Sequence, residues 1–144
     1  MSTYDGPPDA FGSAYRLLST AVTPRPIGWI STRSQEGVDN LAPYSFFNVA
    51  AVDPPVVMFA PIGSEGLKDT PRVAAAPVAL ECELHDWVEV GGSVLVLGEV
   101  VYAHVDEGVL TDGQVDIEQL DTVGRLAGSQ YASTAGRFGI DRPS

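Results

Sequence analysis

From Val94 to Val105 the chain is apolar on both sides of an extended segment. Val94, Val96, Val100 and Tyr102 share one face, Leu95, Leu97, Val101 and Val105 share the other, and Gly98 and Glu99 interrupt them. A strand of this kind has to be covered twice, by a barrel interior on one side and by a helix or a second subunit on the other. It therefore points to a closed β architecture and to a dimer. Upstream, Pro77 to Asp86 has the opposite character. Val78, Leu80, Cys82 and Leu84 alternate with Ala79, Glu81, Glu83 and His85, which predicts one inward and one wet face.

The remaining pattern is consistent with many short strands. Phe11, Ala14, Tyr15, Leu17, Leu18 and Val22 recur at helical spacing, so Asp9 to Val22 is expected to be a helix with Asp9 as its cap. Thr23-Pro24-Arg25-Pro26 ends it, because proline disfavours helix in the residue before it. Strands are predicted at Ile27 to Thr32, Tyr44 to Val52 and Val56 to Ala60, with a turn over Arg33 to Asn40 and a break at Asp53-Pro54-Pro55. A turn at Asp112-Gly113, an extended piece from Gln114 to Ile117 and a helix from Glu118 to about Leu126 complete the reading. The expected fold is mainly β, an antiparallel barrel or sandwich with short peripheral helices. At 144 residues the whole span 1–144 reads as one domain.

Charge narrows the function. The formal net charge is -11, and Lys68 is the only lysine among eight cationic side chains. Such a surface repels phosphate backbones and anionic lipid, so no nucleic acid and no membrane partner is expected. One cysteine, Cys82, permits no internal disulfide, and two histidines, His85 and His104, are too few for a structural zinc site, so no metal is expected. The first ten residues lack the basic and apolar regions of a secretory leader, and the apolar stretches are too short to span a bilayer. These features predict a cytoplasmic protein.

Neither a dinucleotide-binding glycine pattern nor a P-loop, a nucleophile elbow or a zincin helix occurs. A chain so poor in catalytic side chains either performs no chemistry or takes it from a cofactor, and no catalytic residue of its own is assigned. Two segments gather polar groups. In Ser64-Glu65-Gly66-Leu67-Lys68-Asp69-Thr70, small residues, two hydroxyls and the lone lysine suit a phosphate, although a solvated turn has the same composition. Asn40-Leu41-Ala42-Pro43-Tyr44-Ser45-Phe46-Phe47-Asn48 sets amide, hydroxyl and aromatic groups on one segment, and by itself it reads more readily as a core strand with its aromatics inward. His85 and His104 read as exposed strand histidines. Arg25 and Arg33 read as phosphate contacts or ordinary surface charges, and Cys82 as a small core residue.

In order and spacing, Tyr15-Arg16-Leu17-Leu18, Pro24-Arg25-Pro26-Ile27, Ser31-Thr32-Arg33, Gly37, the run from Asn40 to Asn48, Asp53-Pro54-Pro55 and Lys68-Asp69-Thr70 resemble the flavin reductase-like family. The likeness resumes at residues 76 to 84 and from Gly124-Arg125-Leu126 to Tyr131. It implies an FMN-binding split β-barrel and a homodimer holding FMN, or FAD through its FMN half, near the subunit interface. NADH or NADPH would serve as co-substrate, giving hydride to the flavin, and a partner monooxygenase would be one possible consumer of it. Carried onto this chain, the resemblance makes Ser31, Thr32, Lys68 and Thr70 phosphate contacts. It makes Asn40, Ala42, Pro43, Tyr44, Ser45, Phe46, Phe47 and Asn48 the strand lining the ring and ribityl chain, and Arg125 and Tyr131 the completion of the pocket. The other roles open to such a chain are a flavin-binding electron carrier without nicotinamide turnover and a shortened barrel acting as an interaction module. One departure stands out: Lys68-Asp69-Thr70 runs through Pro71-Arg72-Val73 straight into Ala76-Pro77-Val78. The family places a further turn, an apolar strand, a helix and a loop there, so part of the usual pocket wall is missing.

Overall fold

The computed structural model of the protein describes residues 5–61 and 73–141. Strands account for 48% of it and helix for 14%, so the mainly β expectation holds. The helix is shorter than its apolar spacing suggests. A 3-10 turn, Pro8–Phe11, stops at Gly12, and helix α1 covers only Ala14–Ala21. Ser13, not Asp9, is its cap: the Ser13 hydroxyl accepts the Arg16 amide at 3.1 Å, satisfying a first-turn donor that has no partner within the helix.

Strands β1 (Gly28–Arg33) and β2 (Asp39–Tyr44) form an antiparallel ribbon, which Ser45 and Phe46 connect to a four-stranded sheet. That sheet contains β3 (Phe47–Val52), β4 (Pro55–Phe59), β5 (Val78–Val90) and β6 (Ser93–Val105) in the order β3-β4-β6-β5, curled into a half-barrel. The expected strand from Tyr44 to Val52 starts only at Phe47; Tyr44 ends β2, which begins at Asp39 inside the stretch expected as a turn to Asn40, so β2 itself was not anticipated. Gly91 has φ 58° and supplies the left-handed turn that joins β5 to β6. Further on, β7 (Leu110–Thr111) and β8 (Gln114–Val115) close around Asp112 and Gly113, which have φ 50° and 76°, the turn anticipated from the Asp-Gly pair.

Two expectations fail, for identifiable reasons. No helix forms from Glu118 to Leu126. The Asp116 carboxylate instead accepts the Glu118 amide at 2.8 Å, and β9 (Val123–Arg125) pairs with β10 (Tyr131–Ser133). An Asp side chain that binds the backbone locally competes with helix, and the pairing of β9 with β10 decides the contest. The inward face of β5 is also uncovered within this chain: Cys82 is exposed, and Leu84 is 50% exposed. Register shifts at Glu81/Cys82 and at Leu84/Asp86 break the simple alternation of faces.

The core therefore lies along β4. Among the described residues its buried apolar members are Val56 and Phe59 of β4, Val96 of β6, and Val109. Exposed carboxylates are paired around it. The Arg137 guanidinium donates to both oxygens of Glu118, which holds that carboxyl below its ordinary range and raises the arginine in return. His85 pairs with Glu99 at 3.1 Å and His104 with Glu81 at 2.5 Å, across the β5–β6 ladder. Both histidines are thus accounted for as strand-face residues. Among the described residues no helix is long and apolar enough to cross a membrane, and no cluster of potential metal ligands occurs.

Candidate functional site

The β1–β2 ribbon brings together residues that the sequence separates. Its register sets Thr32 opposite Asn40, Ser31 opposite Leu41, Ile30 opposite Ala42 and Gly28 opposite Tyr44. Side chains alternate along each strand, so Thr32, Asn40, Ala42 and Tyr44 share one face, while Ser31 and Pro43 share the other with Trp29. The two proposed phosphate hydroxyls are therefore on opposite sides. The face carrying Thr32 is the more buried one, with Thr32, Ala42 and Tyr44 half-buried, although Asn40 on it is exposed and Ser31 on the other face is half-buried too; the Tyr44 ring lies 5.4 Å from that of Phe59, tilted by 45°. Arg33 clamps the turn end of the ribbon, donating from Nε and Nη2 to Asp39 at 2.6 and 3.1 Å. That hydrogen bond, more than charge alone, holds the Asp39 carboxyl below its usual range.

At the other end, Ser45 and Phe46 turn the chain into β3. The Ala60 amide donates to the Phe46 carbonyl at 2.9 Å, which fixes the corner. Phe47 begins β3 opposite Phe59, and its ring sits so close to Gly28 that a Cβ there would lie 2.6 Å from a ring carbon. Glycine is required at that crossing because only its bare Cα lets β1 pass the aromatic ring. Asn48 is exposed, and its Oδ1 accepts the Val49 amide at 2.8 Å. Lys68 and Thr70 lie outside the described residues.

Arg125 and Tyr131 are paired. The Arg125 guanidinium donates to the Tyr131 hydroxyl and to the Gly128 carbonyl, and its central carbon lies 4.8 Å from the Tyr131 ring centre. What joins this pair to the Phe46 corner is Arg25, which neither of its sequence readings anticipated. Arg25 is only 8% exposed, so it is neither a surface charge nor an open phosphate contact. Its Nη1 donates to the carbonyls of Ser19 and Val22 at the end of α1, and its Nη2 to that of Leu126 at 3.0 Å. Its backbone exchanges two hydrogen bonds with Arg125, of 2.9 and 2.8 Å, and its guanidinium lies 5.8 Å from the Phe46 ring centre. Among the described residues its buried Nε has no hydrogen-bond partner. The sequence did carry a signal for this role, a cation held between two prolines just beyond a helix end, where free carbonyls collect.

This geometry tests whether a flavin suits the chain. Thr32 and the exposed Asn40 offer a hydroxyl and an amide side by side on one face of the ribbon, and Ala42 leaves room next to them. Tyr44, Phe46 and Phe47 offer flat apolar surface within a few residues, which is the donor set that a polar-edged aromatic ring and its polyol chain require. The residues present fit the group.

Comparisons with known proteins place this half-barrel and ribbon in a family. Residues 63–120 match the flavin reductase like domain. A Deinococcus radiodurans protein is 33% identical over 190 aligned positions, covering 89% of this chain and 84% of the relative. The chain belongs to the flavin reductase-like family. The alignment with that relative is longer than the 144 residues of the chain, so the relative carries residues that have no counterpart here. Among solved structures, nitrilotriacetate monooxygenase component B from Bacillus cereus superposes with a TM-score of 0.85 at 24% identity, covering 97% of this chain and 100% of that one. An FMN-binding protein from Thermus thermophilus superposes at 0.72 with 18% identity, covering 98% of this chain and 100% of that one. Both share the split-barrel fold, and the chain is a flavin-binding oxidoreductase of that architecture.

Proposed function

We propose that the chain binds FMN and passes hydride from NADH or NADPH to it for delivery to an acceptor. The observation that carries this reading is the ribbon register, which sets Thr32, Asn40, Ala42 and Tyr44 on one face beside the Phe46–Phe47 corner, all but Asn40 half-buried. Bound FMN would supply the redox chemistry, accepting two electrons and a proton as hydride. The chain's own residues bind and orient. Thr32 and Asn40 offer hydrogen bonds, Lys68 with Thr70 holds the phosphate, and the aromatics exclude water from one face of the ring. No protein acid or base is needed, because the task is to hold two rings in contact. The named activity of the Bacillus cereus neighbour as a monooxygenase component suggests one class of consumer, a partner monooxygenase.

The missing wall segment leaves the ring more open than in longer relatives, so affinity falls further than hydride acceptance. Expected on titration is weak FMN binding that gel filtration strips away, together with NADH or NADPH oxidation above the free-flavin rate once FMN is in excess. Saturated FMN binding without nicotinamide oxidation would replace the reductase reading with that of an electron carrier.

The working unit is a homodimer. Leu84 at 50%, Trp87 at 57% and Tyr102 at 60% exposure leave the β5–β6 surface apolar and open, a condition that soluble monomers seldom tolerate over such a length. Light scattering at micromolar concentration is expected to give twice the 15.2 kDa chain mass, and a monomer there would refute the dimer.

A further inference from the structure

We propose that Arg25 is a positioning residue of the flavin site, fixing the Phe46 ring relative to the hairpin that carries Arg125 and Tyr131. This rests on the flavin reading above and names a residue that the reading itself does not use.

The argument begins with the absence of a charge partner. Among the described residues no carboxylate pairs with Arg25, although it is buried and permanently charged. Three carbonyls take its place, and they belong to separate parts of the chain: two close α1, and one follows β9. Only a planar fork can donate to both parts at once while turning its flat face toward an aromatic ring, and a lysine ammonium cannot. The same residue is tied through its backbone to Arg125, whose side chain holds Tyr131. Phe46 through the guanidinium and Arg125 through the backbone, with Tyr131 held in turn by Arg125, are thus tied to this one residue. Phe46 is 39% exposed, so the ring that Arg25 braces on one side is open to a ligand on the other.

The test is a double-mutant cycle in the full-length chain with Arg25→Lys, Phe46→Leu and the pair. FMN affinity is read by fluorescence quenching, the visible circular dichroism of flavin at saturation is recorded, and thermal melting of the flavin-free protein is followed separately. Arg25→Lys is expected to weaken FMN about tenfold and to change the dichroism of what remains bound. In the Phe46→Leu background the same change should add little, because Arg25 acts through that ring. A melting temperature that falls while affinity and dichroism stay at wild-type values would overturn the proposal, as would effects that multiply independently. If Arg25→Lys does not fold, Phe46→Leu decides alone, since it leaves all three carbonyl contacts intact. It should weaken FMN with little change in melting, and wild-type affinity would overturn the proposal. Failure of the wild-type chain to bind FMN would overturn the flavin reading and this proposal with it, whereas binding that Arg25→Lys leaves unchanged would overturn the proposal alone.

Discussion

Phe59→Ala is expected to destabilise the protein by about 3–5 kcal/mol, which approaches the whole stability of a domain of this size. Phe59 is 6% exposed at the end of the central strand β4, with Phe47 of β3 opposite it on one side and Val96 of β6 on the other. Its ring also rests against Tyr44 from the ribbon, so it is one of the points where ribbon and half-barrel touch. A larger core would spread the loss, but here the described buried apolar residues besides Phe59 are Val56, Val96 and Val109. A cavity at this position has few neighbours able to relax into it, and the ribbon loses its anchor. Urea or thermal unfolding followed by circular dichroism should show the midpoint collapse. Trp87→Ala is the useful contrast. At 57% exposure its removal should hardly affect folding of one copy while weakening self-association. A Phe59→Ala midpoint close to that of the wild type would mean that the core is centred elsewhere.

Strand ends marked by turn residues were legible in the sequence because turn chemistry is local, whereas β2, β9 and β10 were not anticipated. Asp53-Pro54-Pro55 and Asp112-Gly113 mark the ends of strands whatever else the chain does, and both breaks fall where they were expected. What was illegible depends on contacts between distant segments. The alternation from Val78 to Leu84 predicts a covered face, yet which face is covered depends on neighbours that the described residues do not supply and on two bulges that no residue type announces. The helix expected at Glu118 fails because β10 competes for Val123 to Arg125, a partner that lies downstream. The candidate site divides in the same way. Asn40 to Tyr44 stands out as a polar and aromatic run, but only the antiparallel register reveals that Thr32 shares a face with Asn40, Ala42 and Tyr44 and that Ser31 does not. Arg25 is the extreme case: its role consists entirely of carbonyls supplied by two other segments, and its own neighbours in sequence show only that its backbone is held rigid.

Lys68→Ala is expected to weaken FMN by roughly ten- to a hundredfold and to leave riboflavin nearly untouched, since a hydrogen bond to a charged group contributes about 1.5–3 kcal/mol. Lys68 falls outside the described residues, so the case rests on charge and on the family match, which begins at residue 63 and runs through it. In a chain of net charge -11, a dianionic phosphate approaching the site meets an unfavourable field, and only a local cation can reverse it. The described arginines nearest the candidate pocket are committed: Arg25 to carbonyls, Arg33 to Asp39, Arg125 to Tyr131 and Gly128. The sole lysine, with the Thr70 hydroxyl two residues on, is then the best-equipped group to meet the phosphate. Comparing the two ligands isolates that contact, because FMN and riboflavin share the ring and the ribityl chain and differ only in the phosphate. Added salt should narrow the difference between them in the wild type and have little effect on it in the variant. Equal losses for FMN and riboflavin would place the phosphate on another segment and return Lys68 to the status of a surface charge.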